Sequence, residues 1–475
     1  MIALTLAEIA RVVGGTIHAP VPGSAAEAAE LVVDGAAYID NRSPVERGLF
    51  VAITGARVDG HDYAAAAHAV LGSRPTAAPT VVVADPSVAL GRLARFVVER
   101  IDATVLAMTG SQGKTGTKDL LAHVLAGSGP TVATAANNNN ELGVPLTVLR
   151  ADPATEHLVI EMGARGVGHI AYLTEVAPPR IAAVLNVGTA HIGEFGGRKA
   201  IAAAKGEIVE ALGVDGTAVL NADDPLVSAM AARTSARVLT FGEHADVSWR
   251  DIRLDQLGKA SFELGHQGAW VPVTLTQTGA HQVANAAAAA AMAIAAGMSL
   301  EEIGEGLSSA VPASRWRMEL SERRDGLLVL NDAYNANPAS MRAAIEALVS
   351  LGRSRTGRTI AVLGEMMELG GDHESGHREV GRAAAEAGVD LVVVVGHGAG
   401  GIAREAGALG CEVILTAGRE DAAAWVRNNA GAADAVLVKA SRAAALELVA
   451  EHVLADPHVD PEPGSTRHER KSTAS

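Results

Sequence analysis

One segment of the chain has the composition of a phosphate-binding loop: Thr109-Gly110-Ser111-Gln112-Gly113-Lys114-Thr115. It follows the apolar run 104–108 and precedes a helix-like stretch over 118–125. When a strand, a glycine-rich turn and a helix start follow one another, the turn amides and the positive end of the helix dipole face an anion. Lys114 can then reach the outer phosphates, and the Thr115 hydroxyl can bind Mg²⁺.

The loop is shorter than a general Walker A motif, which needs a glycine where this chain has Met108. A glycine-rich turn can also be an ordinary connection between a strand and a helix. Its position between the two elements favours nucleotide binding. The residues expected to contact the nucleotide are Gly110, Ser111, Gln112, Gly113, Lys114, Thr115 and Gly116.

Three other polar side chains follow apolar runs that are typical of strands. Glu161 follows the run 157–160, His191 comes shortly after the run 181–187, and Asp332 closely follows the run 327–330. Each alone could be a surface loop residue. Because ligands bind beyond the carboxyl ends of parallel strands, the three side chains together favour an active site beside the phosphate-binding loop.

Lys205 lies on the apolar face of a helix predicted over residues 200–212. It is four residues after Ile201 and three before Ile208, on the same stripe. A lysine at the edge of such a stripe can extend its ammonium group to solvent. In a low-dielectric site, by contrast, the amine is more readily neutral and can react with carbon dioxide, giving a carbamate suited to Mg²⁺. Periodicity alone leaves both interpretations open.

Four consecutive asparagines occupy residues 137–140, before Glu141-Leu142-Gly143-Val144-Pro145. An asparagine-rich run is typical of a turn. Beside a nucleotide site, the same amides could instead hydrogen-bond a sugar, a pyrophosphate or a peptide substrate.

Composition restricts the class of protein. A length of 475 residues predicts about two to four domains. The formal charge of −15 and the aromatic content of 3% argue against a nucleic-acid partner. Cys411 is the only cysteine, which excludes an intrachain disulfide framework and fits a reducing cytosol. The N-terminus does not resemble a signal peptide, and the most apolar segment, 284–298, is too short to span a bilayer. We therefore expect a cytoplasmic protein, and a monomer.

The distribution of apolar runs predicts an α/β protein of three domains. Residues 1–103 form a mixed α/β block, residues 104–312 a parallel sheet carrying the phosphate-binding loop, and residues 313–455 a Rossmann-like βα series. The segment 456–475 lacks periodicity and is predicted to be disordered. Strands are expected at 48–53, 80–83, 105–108, 158–162, 181–187, 218–221, 238–241, 327–330, 359–363, 391–395, 412–415 and 435–438.

Together these motifs resemble the Mur ligase family over nearly the whole chain up to the tail. The phosphate-binding loop has the short form that this family uses, and the asparagine block is similar to its Asn-x-Asn-Asn-x-Ile-Gly-Val-Pro element. Four more segments match: Glu161-Met162-Gly163-Ala164, Ala190-His191-Ile192-Gly193-Glu194-Phe195-Gly196, Lys205-Gly206-Glu207-Ile208 and His281-Gln282-Val283-Ala284-Asn285.

Within the family, the segment Asp332-Ala333-Tyr334-Asn335-Ala336-Asn337-Pro338 is characteristic of the member that adds a dipeptide. Sister ligases that add single amino acids carry other residues there. Four positions depart from the family pattern: Gly116 replaces Thr or Ser, Asn41 replaces Ser before Arg42, and Glu365 and Ala440 stand where Asp and Gly are expected. Lys114 and Thr115 remain, so the assignment is unaffected, whereas Asn41 leaves the uridine contacts open.

The resemblance implies a ligase that uses ATP to convert a carboxylate into an acyl phosphate, which an amine then attacks. The implied substrates are UDP-N-acetylmuramoyl-tripeptide and D-alanyl-D-alanine. One Mg²⁺ is expected at Thr115 and Glu161, and a second at His191 and carbamylated Lys205. Lys114, Glu161, His191 and Lys205 are the expected catalytic residues.

The resemblance also implies the binding residues. His281 and Asn285 are expected at the adenine, Asp332 at the ribose, and Arg317, or alternatively Arg315, at the phosphates. The N-terminal block is expected to hold the UDP-sugar and the third block D-alanyl-D-alanine, with closure at a hinge near Pro312. The expected substrate contacts are Arg42, Asn137, Asn139, Asn140, Asn335, Asn337, Lys439, Ser441 and Arg442.

Three alternatives remain. The first is a sister ligase that adds a single amino acid, or a folate polyglutamyl ligase, and the segment from Asp332 argues against both. The second is a P-loop phosphotransferase or NTPase that forms no amide bond. The third is a binding protein that has lost its chemistry, against which the intact set of expected catalytic residues argues.

Overall fold

The computed structural model describes residues 1–55, 58–188 and 197–455. The chain forms two compact units. The first contains Met1–Arg317 together with the short segments Asn337–Ala343 and Met367–Gly376. The second contains Met318–Ala336, Ala344–Met366 and the described chain from His377 onward. His191 and the predicted tail 456–475 lie outside the described residues.

The N-terminal part of the first unit is built on a five-stranded sheet of order β2-β7-β6-β5-β4, parallel except for β2, with a small antiparallel pair β1-β3. Its first helix starts with a reciprocal capping box between Thr5 and Glu8. The elements are β1 (Leu4–Thr5), α1 (Leu6–Val13), β2 (Thr16–His18), α2 (Ala25–Ala29), β3 (Val32–Val33), β4 (Ala37–Tyr38), β5 (Leu49–Val51), β6 (Ala69–Gly72), β7 (Thr80–Val82) and α3 (Pro86–Val98).

A nine-stranded sheet of order β16-β15-β14-β13-β12-β11-β8-β10-β9 follows in the chain. Pairing is parallel from β9 to β14, and β14 to β16 form an antiparallel meander. The strands are β8 (Thr104–Thr109), β9 (Thr131–Ala133), β10 (His157–Glu161), β11 (Ile181–Val184), β12 (Thr217–Asn221), β13 (Arg237–Phe241), β14 (Val247–Leu254), β15 (Lys259–His266) and β16 (Ala269–Thr278). The helices among and after these strands are α4 (Lys114–Ala126), α5 (Gly143–Val148), α6 (His169–Val176), α7 (Arg198–Glu210), α8 (Pro225–Ser228), α9 (Gln282–Ala295) and α10 (Leu300–Ser309).

The central strands of this sheet are buried on both faces. In β8, Val105 and Ala107 belong to one core cluster, whereas Leu106 and Met108 belong to another. This double burial is why the parallel strands appear in the sequence as continuous apolar runs rather than as alternating patterns. The antiparallel strands β14 to β16 were not predicted, because β14 is exposed along most of its length and lacks an apolar run.

Helix α9 is the alanine-rich segment, and it is buried nearly all round, with Ala286–Ala293 inaccessible. It ends close to Gly297, whose φ of 99° is a left-handed conformation that glycine adopts without strain. Its 14 residues are too few to span a membrane. Among the described residues, no helix combines the length and the apolar character that crossing a bilayer requires.

The second unit contains a six-stranded sheet of order β17-β18-β22-β19-β20-β21, in which only β17 is antiparallel. The strands are β17 (Glu319–Glu322), β18 (Leu328–Asn331), β19 (Thr359–Leu363), β20 (Leu391–Val395), β21 (Glu412–Thr416) and β22 (Ala435–Lys439). The helices of this part of the chain are α11 (Pro338–Gly352), α12 (His373–Ala387), α13 (Gly400–Ala408), α14 (Arg419–Asn429) and α15 (Glu447–Leu454). The predicted α/β fold class is confirmed, and each predicted strand is present within a few residues of its expected bounds.

Candidate active site

The phosphate-binding loop has the predicted strand–turn–helix form. Strand β8 ends at Thr109 and helix α4 starts at Lys114, with Gly113 as the N-cap residue at a φ of 80°. The Lys114 ammonium group folds back over the loop and donates a hydrogen bond of 2.7 Å to the Gly110 carbonyl. Burial lowers the pKa of Lys114, and the Arg317 guanidinium lowers it further, while Glu161 opposes the shift. Burial in the loop therefore disfavours the charged form of Lys114, and Glu161 only partly offsets that effect.

Asn186, which was not predicted from the sequence, binds the phosphate-binding loop. It lies two residues after β11, the strand that pairs with β8. Its Oδ1 atom accepts hydrogen bonds of 3.0 Å from the backbone N–H groups of both Ser111 and Gln112. Its Nδ2 atom donates to the Gln112 carbonyl at 3.0 Å. Two loop amides expected to bind phosphate thus have an internal acceptor. The only signal in the sequence was the position of Asn186 after β11, at the carboxyl edge of the sheet.

Thr115 and Glu161 meet at the carboxyl ends of neighbouring strands. Strand β10 pairs in parallel with β8, with Glu161 opposite Met108, so that Glu161 lies beside the loop. The Thr115 hydroxyl donates to Glu161 Oε2 at 3.1 Å, and Asn139 Nδ2 donates to Oε1 at 2.8 Å. Glu161 is only 2% exposed. Its carboxylate oxygens and the Thr115 hydroxyl are oxygen donors of the kind that Mg²⁺ prefers.

Lys205, for which the sequence left two interpretations open, is buried. The residue lies on α7 and is 5% exposed. Within the described part of the chain its amine forms no hydrogen bond or ion pair. Burial, followed by repulsion from Lys114, lowers the pKa of Lys205 well below the usual value for lysine. Of the two interpretations of this residue, the structure supports the low-dielectric site.

The asparagines of residues 137–140 have different partners. Asn139 binds Glu161, while Asn140 accepts the Gly143 N–H at 2.9 Å through Oδ1 and so begins α5. The turn lies so close to Gly143 that a Cβ atom there would come 2.2 Å from the Asn138 carbonyl carbon. Asn137 is exposed. The structure thus gives Asn139 and Asn140 internal partners, and substrate contact by Asn137, Asn139 or Asn140 stays a prediction.

Asn285 packs against the start of α4. Its Oδ1 atom would lie 2.5 Å from a Cβ atom at Gly113, and its Nδ2 atom 3.1 Å from one at Gly116. The glycine at position 116, where the family usually has Thr or Ser, therefore leaves room for this amide. Asn285 Nδ2 donates to Gln282 Oε1 at 2.8 Å. The adenine contacts of Asn285 and of His281, the N-cap residue of α9, stay predictions.

In the second unit, Asp332 and Lys439 form a buried ion pair of 2.5 Å across the neighbouring strands β18 and β22. Lys439 also donates to the Asn335 carbonyl at 2.7 Å, and the second Asp332 oxygen accepts the Met318 N–H at 3.1 Å. The Asp332 carboxylate predicted to bind ribose therefore has internal partners on both oxygens.

The other predicted substrate residues also have hydrogen-bond or ion-pair partners within the chain. Arg42 is 85% exposed on its side chain and pairs with Asp40 at 2.6 Å, which lowers the pKa of Asp40 to about 2. Arg442 pairs with Glu447 at 2.6 Å. Ser441 donates its N–H to the Glu365 carbonyl at 3.0 Å. Asn335 Oδ1 accepts the Ala336 N–H, and Asn337 Oδ1 accepts the Ser340 N–H, both at 2.9 Å.

Comparison with known proteins identifies the family. The Mur ligase middle domain matches residues 108–293, and the Mur ligase, glutamate ligase domain matches residues 316–442. The chain belongs to the Mur ligase family. UDP-N-acetylmuramoyl-tripeptide–D-alanyl-D-alanine ligase of Mycobacterium tuberculosis strain H37Rv is 43% identical over 505 residues, covering 96% of this chain and 98% of the relative. The resemblance predicted from the motifs is thereby confirmed.

Solved structures of Mur ligases have the same fold. The crystal structure of MurF from Acinetobacter baumannii gives a TM-score of 0.84 at 31% identity, covering 96% of this chain and 99% of the other. MurF ligase from Thermotoga maritima, solved in complex with ADP, gives 0.77 at 30% identity and covers 89% and 97%. These likenesses show that this Mur ligase has a known fold.

We predict that Asn186→Asp weakens ATP binding. The new carboxylate would face the two loop amides and repel the phosphates, so the KM for ATP should rise about tenfold or more, or about 1.4 kcal/mol. Steady-state kinetics with varied ATP measures the effect. Asn221→Asp is the matched control, because Asn221 ends β12 and binds the Leu185 carbonyl rather than the loop. An unchanged KM in Asn186→Asp would contradict the proposed role.

Proposed function

We propose that this chain is an ATP-dependent ligase that joins D-alanyl-D-alanine to UDP-N-acetylmuramoyl-tripeptide, a step of peptidoglycan synthesis. The observation that carries the chemistry is the joint placement of Lys114, Glu161 and Lys205 in one unit, where Lys114 interacts electrostatically with each of the other two. The choice of substrates is supported by the name of the M. tuberculosis relative and by the Asp332-Ala333-Tyr334-Asn335 segment. A nucleotide-linked substrate and a single cysteine fit a cytoplasmic location.

The described residues fit one Mg²⁺ ion, and a second ion is part of the proposal. Thr115 and Glu161 would hold the first, through hard oxygen donors that already lie 3.1 Å apart. His191, outside the described residues, and a carbamylated Lys205 would hold the second. When bound, the ions would neutralise phosphate charge and orient the acceptor carboxylate.

The buried environment of Lys205 supports the proposal that it is carbamylated. A neutral amine is the form that reacts with carbon dioxide: its nitrogen forms a bond to the carbon, and one proton is released. The product carries a negative charge where the neutral amine carries none. That anion would attract the Lys114 ammonium group and add to the negative charge of Glu161.

The chain's own residues would then act as follows. Lys114 and the loop amides stabilise negative charge on the γ-phosphoryl group as it moves to the substrate carboxylate. Glu161 is fixed by two contacts, because Thr115 binds one of its carboxylate oxygens and Asn139 binds the other. Residues 1–103 would hold the UDP-sugar near Arg42. Residues 313–455 would supply the D-alanyl-D-alanine site, with Asn335, Lys439, Ser441 and Arg442 as candidates.

The reaction can be tested by phosphate release from Mg-ATP with UDP-N-acetylmuramoyl-tripeptide and a panel of amines. We expect release only when both the tripeptide nucleotide and D-alanyl-D-alanine are present, because the acyl phosphate needs an attacking amine to turn over. Release with a single amino acid would indicate a sister activity. Release without any amine would contradict the ligase proposal and indicate an NTPase.

The role of Lys205 can be tested by substitution. In Lys205→Ala we expect kcat to fall about a thousandfold, or about 4 kcal/mol, with little change in the KM for ATP, because the carbamate acts on the acceptor side. Lys205→Arg should be equally inactive and not rescued by bicarbonate. Lys199→Ala, an exposed lysine of the same helix, is the control. Wild-type turnover in Lys205→Ala would refute the role.

A further inference from the structure

Glu207 connects the helix that carries Lys205 to the segment that follows Glu161. It lies on α7, two residues after Lys205, and is 8% exposed. Its Oε1 atom accepts the Gly168 N–H at 2.6 Å, and its Oε2 atom accepts the Ala171 N–H at 2.9 Å. Both N–H groups belong to the start of α6. Because each carboxylate oxygen binds one of them, Glu207 serves α6 rather than a ligand.

This contact replaces a cap that α6 cannot form by itself. The first N–H groups of a helix lack intrahelical partners and are usually satisfied by a side chain at the N-cap. Helices α1, α3 and α10 have such side chains in Thr5, Asp85 and Ser299. The N-cap residue of α6 is Gly168, which has no side chain to offer. A carboxylate from 39 positions further along the chain takes its place, and its charge complements the helix dipole.

The segment between Glu161 and α6 is consequently fixed at both ends. At the start, Glu161 is held by Thr115 and Asn139, and the Gly163 N–H donates to the Asn139 carbonyl at 2.7 Å. At the end, Glu207 holds Gly168 and Ala171. Any shift of α7 relative to this segment would move Lys205 relative to Glu161. The contact of Glu207 with α6 thus connects Lys205 and Glu161, the two residues proposed to hold metal ions.

We propose that Glu207 is a positioning residue of the ligase reaction: it fixes the position of α7, which carries Lys205, relative to the segment that follows Glu161. The inference rests on the proposed function, because it assigns Lys205 and Glu161 to one reaction. Glu207 acts only through these two residues. Its loss should therefore reduce turnover and the ease of carbamylation, and leave ATP binding at the loop intact.

The test compares Glu207→Gln with Glu210→Gln. The glutamine keeps the size of the side chain but offers only one acceptor atom to two N–H donors. Glu210 is the matched control, since it is also a carboxylate of α7 but pairs with Arg233. For Glu207→Gln we expect kcat to fall about 10- to 100-fold, as for loss of an orienting partner. The KM for ATP should be unchanged, and half-maximal activity should need more bicarbonate.

Hydrogen–deuterium exchange supplies a readout independent of activity. We expect faster exchange of the amides at the start of α6 in Glu207→Gln and not in Glu210→Gln. If Glu207→Gln does not fold, Glu207→Asp, which keeps the charge but shortens the reach, should show the same pattern to a smaller degree.

The outcomes separate cleanly. Faster exchange with unchanged kcat would mean that the contact caps α6 without positioning Lys205, and would overturn the proposal. Equal losses of kcat in Glu207→Gln and Glu210→Gln would also overturn it, because they would indicate general destabilisation of α7. Phosphate release by the wild type without an amine would instead overturn the proposed function. The rates of that phosphate release in Glu207→Gln and Glu210→Gln could still be compared, so the two failures are distinguishable.

Discussion

The site depends on one electrostatic constraint: two lysine amines, Lys114 and Lys205, are held near each other in a low-dielectric environment. Burial disfavours the charged form of each, and the repulsion between them lowers the pKa of Lys205 further. Among the described residues, Glu161 is the carboxylate that opposes the shift at Lys114. A polyphosphate and a lysine carbamate are both anions that would stabilise the charged form of Lys114.

The parallel sheet creates this constraint. Strands β8, β10 and β11 are neighbours in parallel register, so their carboxyl ends bring the phosphate-binding loop, Glu161 and Asn186 to one edge. Helix α7, which belongs to the same unit, carries Lys205 on its buried face. The polar contacts at this edge then fix the geometry: Asn186 holds the loop, Asn139 holds Glu161, and Glu207 ties α7 to the segment beyond Glu161.

Sequence reasoning reached the parts of this site that have local signals. The phosphate-binding loop follows from its glycines, and the placement of Lys205 follows from the spacing of Ile201 and Ile208. Asn186 and Glu207 were missed as structural partners because their contacts join residues tens of positions apart, and only the sheet register and the packing of helices bring them together. The strands β14 to β16 were missed because β14 is mostly exposed and because β15 and β16 alternate buried with less buried positions, so none of the three has a continuous apolar run. The ribose contact of Asp332 stays a prediction, and its buried pairing with Lys439 could not be predicted because it depends on the adjacency of β18 and β22.

The central claim, that burial favours the neutral amine of Lys205 and so its conversion to a carbamate, is tested most directly by ¹³C nuclear magnetic resonance of the protein equilibrated with ¹³C-labelled bicarbonate. The account predicts a carbamate resonance in the wild type that is absent from Lys205→Ala and present in Lys199→Ala. Absence of the resonance from the wild type, or its persistence in Lys205→Ala, would contradict the account.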